Sequence, residues 1–212
     1  MSLVELIAQA DERGLAASGL ACLDRCVPLL GGDDEVLRPL WASLAGGDAW
    51  ADWEERVTKV RGELGAGDAW GEGGAAGLGP GGGSAEDEAA LLARRMLAAA
   101  PGERSARALR EWADACSVAA LRIHRLLDPV GKASEEGGSS VTAPREGRTE
   151  GMSPLVAAEL RRQVTVLELL AGHGANGVRQ ALDVSTEGRR VLRAVVSRRA
   201  RGVELRSVSR EA

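Results

Sequence analysis

The sequence predicts an all-α fold: an irregular multi-helix bundle of about nine helices with two long flexible loops. Three observations lead there. The 212-residue chain has no Phe and no Tyr, and five Trp carry its whole aromatic content. Its apolar surface is therefore mostly Ala and Leu, which are strong helix formers, whereas strands favour β-branched and aromatic residues. Apolar residues also recur three and four apart, the spacing that puts them on one helix face. Finally, Gly- and Pro-bearing breaks divide these periodic runs into short segments.

Residues 1–64 read as a block of four short helices. Ser2 and Glu5 have capping-box spacing, so a helix is expected from there to about Arg13, with Gly14 as its stop. A second helix is expected over 16–30, with Leu20, Leu23, Cys26, Val27 and Leu30 on one face and Pro28 kinking it or splitting off its last turn. Asp33-Asp34 is expected to cap a third helix to Leu44 that contains Pro39, and Gly46-Gly47-Asp48 to open a fourth to about Leu64.

Residues 84–128 read as an αα-hairpin. Ser84 caps a helix whose first turn holds Glu86, Asp87 and Glu88, and which ends before Pro101-Gly102. The second arm, about 103–128, carries the cleanest stripe of the chain: Leu109, Trp112, Ala113, Cys116, Ala119, Ala120, Ile123, Leu126 and Leu127. Residues 153–212 form a basic C-terminal helical block. Ser153-Pro154 is an N-cap followed by Pro at the first helical position, and Val156, Leu160, Val164, Leu167 and Leu170 share a face. After a break at 172–177, a short helix (178–182) and a longer one (about 186–200) are expected, with an extended or frayed tail. The intervening stretches, 65–83 (Gly-rich) and 129–152 (rich in Gly, Ser, Glu and Pro), read as a flexible linker and a flexible polar loop. The three blocks are expected to pack as one domain.

Charge is unevenly spread. Residues 1–84 hold 14 acids and 6 bases, a balance of −8, while residues 155–212 hold 6 acids and 11 bases, a balance of +5, within a net −4. Only Lys59 and Lys132 of the 27 basic residues are lysine; with the abundance of Ala and Gly, that points to a high-GC bacterial genome. The odd count of three Cys argues against a disulfide framework. The N-terminus meets Glu5 at once and lacks a basic signal-peptide region, and no apolar run approaches the roughly 18–20 residues of a membrane span. A cytoplasmic location without membrane association is the expectation.

No catalytic, cofactor-binding or metal site is predicted. Cys22, Cys26, Cys116 and His124 are the obvious zinc candidates, but Cys116 and His124 lie eight residues apart on one predicted helix, about 12 Å along its axis. Cys26 and Cys116 instead fall on apolar stripes, where free Cys behaves as a small hydrophobe. His124 is expected at the edge of a core stripe, and His173 in the Gly-rich break. The stretch at 65–83 lacks the Gly-Lys-Ser/Thr ending of a phosphate loop and has no strand before it.

Two sets of residues are candidate contacts. Trp50 and Trp53 share a helix face, and Trp70 stands in the linker without amphipathic context; these three are candidate partner contacts. Trp41 and Trp112 are assigned to the core. The segment from Gln180 to Leu192 resembles the second half of a helix-turn-helix, with Leu182-Asp183-Val184-Ser185 in the place of the turn, although the usual turn glycine is Asp183. That resemblance implies DNA contact through Arg189, Arg190 and Arg193. The leading functional expectation is a non-catalytic helical protein that binds a protein partner or self-associates, as an adaptor, regulator or immunity-type partner. A DNA-binding regulator using 178–201 comes second, and an enzyme of unknown class third.

Overall fold

One helix of this chain is buried on every side, and the others are arranged around it. The computed structural model describes residues 1–46, 48–65, 84–128 and 141–211. Among them are nine α-helices: α1 (Leu3–Gln9), α2 (Glu12–Cys26), α3 (Arg38–Ala45), α4 (Trp53–Gly65), α5 (Ala85–Ala98), α6 (Ala106–Leu127), α7 (Thr142–Arg145), α8 (Pro154–His173) and α9 (Gly177–Glu211). No strand occurs among the described residues. The fold is therefore all-α, as the composition implies.

The central helix is α2, buried without interruption from Gly14 onward. It packs most extensively on α6 and then on α9 and α8. Small residues permit this. Gly19 lies against the Trp112 ring, and a Cβ there would meet Cε3 at 2.6 Å. Trp112 in turn donates its indole N–H to the Met96 carbonyl at 2.9 Å, tying α6 to α5. Trp53, also fully buried, donates to the Pro101 carbonyl at 2.8 Å and meets Trp112 edge-on with 6.3 Å between centroids. Each indole thus fills volume that Phe would otherwise fill, and still satisfies its N–H. Arg61 of α4 closes the C-terminal end of α5 by donating to the carbonyls of Leu97, Ala98 and Ala100.

Local caps fall where the sequence puts them. Ser2 and Glu5 form a reciprocal capping box, as do Ser84 and Asp87, and Ser153 caps α8 with Pro154 at its first position. Pro28 does split off a turn: α2 ends at Cys26 and a 3-10 turn follows over Val27–Leu29.

Four boundaries differ. Gly14 is not a helix stop. α1 already ends at Gln9, and Asp11 starts α2 by accepting from the Gly14 N–H at 2.7 Å. Pro39 sits in the first turn of α3 rather than within a helix begun at Asp33, and a 3-10 turn over Asp48–Asp52 precedes α4. The two C-terminal helices expected at 178–182 and 186–200 are one, α9, which also takes in the tail to Glu211. Asp183 brings no backbone freedom, and Ser185 returns its hydroxyl to the Ala181 carbonyl at 2.8 Å, so nothing interrupts the helical ladder. The real break comes earlier, at Gly174, whose φ of +53° lets the chain reverse between α8 and α9. Lastly, residues 141–152 contain α7, whose Arg145 is buried against α6. The rest of the stretches 65–83 and 129–152, apart from Gly65, lies outside the described residues, as does Trp70.

The Gly19 contact gives the first prediction. Gly19→Ala should destabilise the protein by about 1–3 kcal/mol, because a buried indole held by its own hydrogen bond must move. Urea unfolding followed by Trp fluorescence measures this; an unchanged midpoint would mean that α2 and α6 part without penalty.

Candidate functional site

Near its C-terminal end α2 carries two adjacent opposite charges, Asp24 and Arg25, both fully buried. Successive helix positions point about 100° apart, so the two side chains leave α2 toward different neighbours. Arg25 reaches Glu159 of α8, and Asp24 reaches Arg189 of α9.

The Arg25–Glu159 pair is two-pronged, with Nε to Oε2 at 2.8 Å and Nη2 to Oε1 at 2.7 Å. A polar chain runs on from it. Gln163 donates to Glu159 Oε1 at 2.8 Å, Ser117 donates to the Gln163 side-chain oxygen at 2.7 Å, and Arg145 donates to Ser117 at 3.1 Å while pairing with Asp114. This chain joins α2, α6, α7 and α8. Burial is the strongest influence on the Glu159 carboxyl and pushes it upward, but Arg25, His124 and Gln163 together outweigh it and leave the group below the usual range. Burial likewise opposes the Arg25 cation, and Glu159 with the neighbouring thiols offsets it.

His124 lies inside this cluster, fully buried rather than at the stripe edge. Its Nδ1 is 2.8 Å from the Ala120 carbonyl, so Nδ1 carries the proton and Nε2 points its lone pair toward Glu159 Oε2 at 3.5 Å. Burial lowers its proton affinity despite the nearby carboxylate. His173 is exposed in the last turn of α8.

The second cluster borders a cleft of about 190 Å³ between α3 and α9, lined in part by Leu37, Trp41, Leu182 and Asp183. At its floor Asp24 accepts from Arg189 Nη1 at 2.5 Å and from the Trp41 indole at 3.1 Å. Arg189 also donates to the Asp34 backbone carbonyl at 2.7 Å, and Arg193 pairs with the Asp34 carboxylate. Burial raises Asp24 against the pull of Arg189, while the Arg193 hydrogen bond lowers Asp34.

These placements correct the DNA-contact set. Residues 178–201 contain no turn between two helices, Arg189 is only 7% exposed, and Arg189 and Arg193 are bonded to α2 and the α3 approach. Of the three, Arg190 alone faces solvent without a hydrogen bond or ion pair among the described residues. The tryptophan set divides similarly. Trp53 is 0% exposed and belongs to the core, which removes it as a partner contact. Trp50 is half-buried, 5.2 Å from Trp53, and has the Arg104 guanidinium 5.9 Å above its ring.

The three thiols are free and buried. Burial pushes Cys22 up to about 12, and Cys26 and Cys116 well above the ordinary value, so they pack as protonated hydrophobes. No group of three or more His, Cys, Asp or Glu among the described residues is placed to hold a metal ion, and no helix there is long and apolar enough to cross a membrane.

One feature of α9 was legible only in outline from the sequence. Residues 188–203 contain six arginines and no acid. Arg189 and Arg199 turn toward the body of the protein and Arg193 lies at its surface; they pair with Asp24, Glu86 and Asp34 respectively. Arg190, Arg198 and Arg201 point outward, exposed and without an ion pair or hydrogen bond among the described residues. Helical periodicity separates the two sets, but nothing local says which is inside. No family model, curated protein or solved structure matches this chain.

Two predictions come from the buried pair. Glu159→Leu should cost about 3–5 kcal/mol by leaving Arg25 as an uncompensated buried cation, and adding Arg25→Met should restore much of it. Denaturant unfolding of the two variants checks this; equal losses in both would remove the pair from its central role. Because His124 has lowered proton affinity in the fold, the unfolded chain binds its proton first as pH falls below 6.5. Stability should therefore decline from about pH 6.5 downward, before ordinary carboxylates titrate, and His124→Gln should flatten that slope. Unfolding midpoints at pH 7.5 and 5.5 give the comparison.

Proposed function

We propose that this chain is a non-catalytic helical protein that acts by binding another protein, as an adaptor, regulator or immunity-type partner, and that the outward face of α9 is its contact. The observation that carries the reading is the division of the α9 arginines. Arg190, Arg198 and Arg201 are exposed on one side of a helix whose other side is bonded to the body of the protein. They span about 17 Å of helix axis. A rigid, one-signed strip of that length suits an acidic protein surface, where guanidinium groups make two-pronged bonds to carboxylates. Trp50, half-buried beside Arg104, offers a second contact on the same reading. Three protonated, buried thiols suit a reducing compartment such as the cytoplasm.

The same strip supports a second reading, contact with the phosphates of duplex DNA. It would use the solvent face of a continuous helix, with Arg190, Arg198 and Arg201 in place of the set Arg189, Arg190 and Arg193.

Reversing Arg190, Arg198 and Arg201 together to Glu separates the readings. In co-purification from native lysate at low salt, the wild type should retain a protein that the triple variant recovers roughly tenfold less or worse. Retention that survives nuclease supports the protein partner. Retention lost on nuclease treatment supports DNA, and equal recovery by both chains removes the α9 face from either role.

A further inference from the structure

The interior where α2, α6, α8 and α9 meet holds more positive than negative charge. The titratable groups facing His124 there are Arg25 on α2 and Glu159 and Arg162 on α8, while Asp24, also buried on α2 and acting on Arg25, is paired with Arg189 of α9. Glu159 is the carboxylate bonded within the group. Both of its oxygens accept from Arg25; Oε1 also accepts from Gln163, and His124 lies beside Oε2. Three buried nitrogens there have no hydrogen-bond partner among the described residues: Arg25 Nη1, Arg162 Nη1 and His124 Nε2. Arg25 is completely enclosed, and Arg162 has no hydrogen bond or ion pair among the described residues at all.

Gly188 brings the two arginines together. A Cβ added to it would run into the Cγ and Cδ atoms of Arg25 and lie 3.0 Å from Cδ of Arg162. The two stems therefore pass side by side over the same bare stretch of α9. Glu159 pairs with Arg25 alone, so the Arg162 guanidinium, whose Nη1 is buried, has no hydrogen-bonded counter-charge among the described residues. A water molecule could accept from their orphan donors, but it would not neutralise that charge. An anion does both.

We propose that Arg25 and Arg162, beside Gly188, bind a small monovalent anion of halide size at the junction of α2, α8 and α9. Arg25 is fully enclosed, which restricts the ligand to a small ion, and Arg162 is the partly exposed member of the pair. The anion would accept from Nη1 of both arginines.

Two measurements on the full chain test this. Crystals grown in sodium bromide should show an anomalous peak within hydrogen-bond reach of both Nη1 atoms. In solution, the melting temperature should rise saturably in potassium chloride relative to potassium gluconate at equal ionic strength, by about 3–5 °C at a tenfold excess over Kd. Arg162→Gln should abolish the difference. Arg162 bonds nothing else among the described residues, so its loss should leave the fold intact; if that variant does not fold, the bromide crystals of the wild type decide. Absence of the bromide peak, superimposable chloride and gluconate curves, or a chloride effect that persists in Arg162→Gln would each overturn the proposal.

Discussion

The structure depends on a pair of opposite charges placed side by side on a buried helix rich in Ala and Leu. Asp24 and Arg25 are the only charged residues between Gly14 and Gly32. Buried alone, either would cost several kcal/mol. Each is met by one partner from the C-terminal block, Arg189 and Glu159 respectively, and those partners come from different helices. The rotation of α2 about its own axis is thereby fixed. A turn of 100° would present Arg25 to Arg189 and leave Glu159 without a cation. An Ala- and Leu-rich helix has few large side chains to define such an angle by shape, so the two ion pairs supply what packing leaves undetermined.

The same constraint organises α9. One helix serves two purposes because its period divides six nearly identical residues between two sides. The paired arginines lock the helix onto α2, the α3 approach and α5, through Asp24, Asp34 and Glu86. The outward ones are held in a fixed row by the helix that the paired ones secure. A mutation among the paired set would therefore disturb the outer face without touching it, and an arginine scan that ignored pairing would confuse the two effects.

How much of this was readable in advance depends on range. Features set within four residues came through. Ser2 with Glu5, Ser84 with Asp87, and Ser153 with Pro154 start helices where their spacing says they should, and Pro28 ends one. One local feature runs the other way: Gly14 reads as a stop, but Asp11 three residues earlier captures its N–H and begins a helix there. Features set by distant partners did not come through. Leu182-Asp183-Val184-Ser185 reads as a turn, yet without a glycine the stretch stays helical once α8 and α2 pack along it. The candidate contacts suffered most. Arg189 and Trp53 have the residue types of a binding surface, and both are internal because a partner more than forty residues away accepts their hydrogen bonds. A signal was present in Asp24 and Arg25 themselves: a charged pair with apolar neighbours on every helical face must find its counter-charges elsewhere in the chain.

The separation of those partners has a consequence for the order of folding. Arg25 finds Glu159 across 134 residues, and Asp24 finds Arg189 across 165. At a synthesis rate of about 5–20 residues per second, roughly 7–30 s pass between the appearance of α2 and that of its counter-charges. During that interval α2 can collapse onto α6 but not be sealed, since sealing it would strand both charges. Closure of the core around α2 must therefore wait for α8 and α9, which are made well after it.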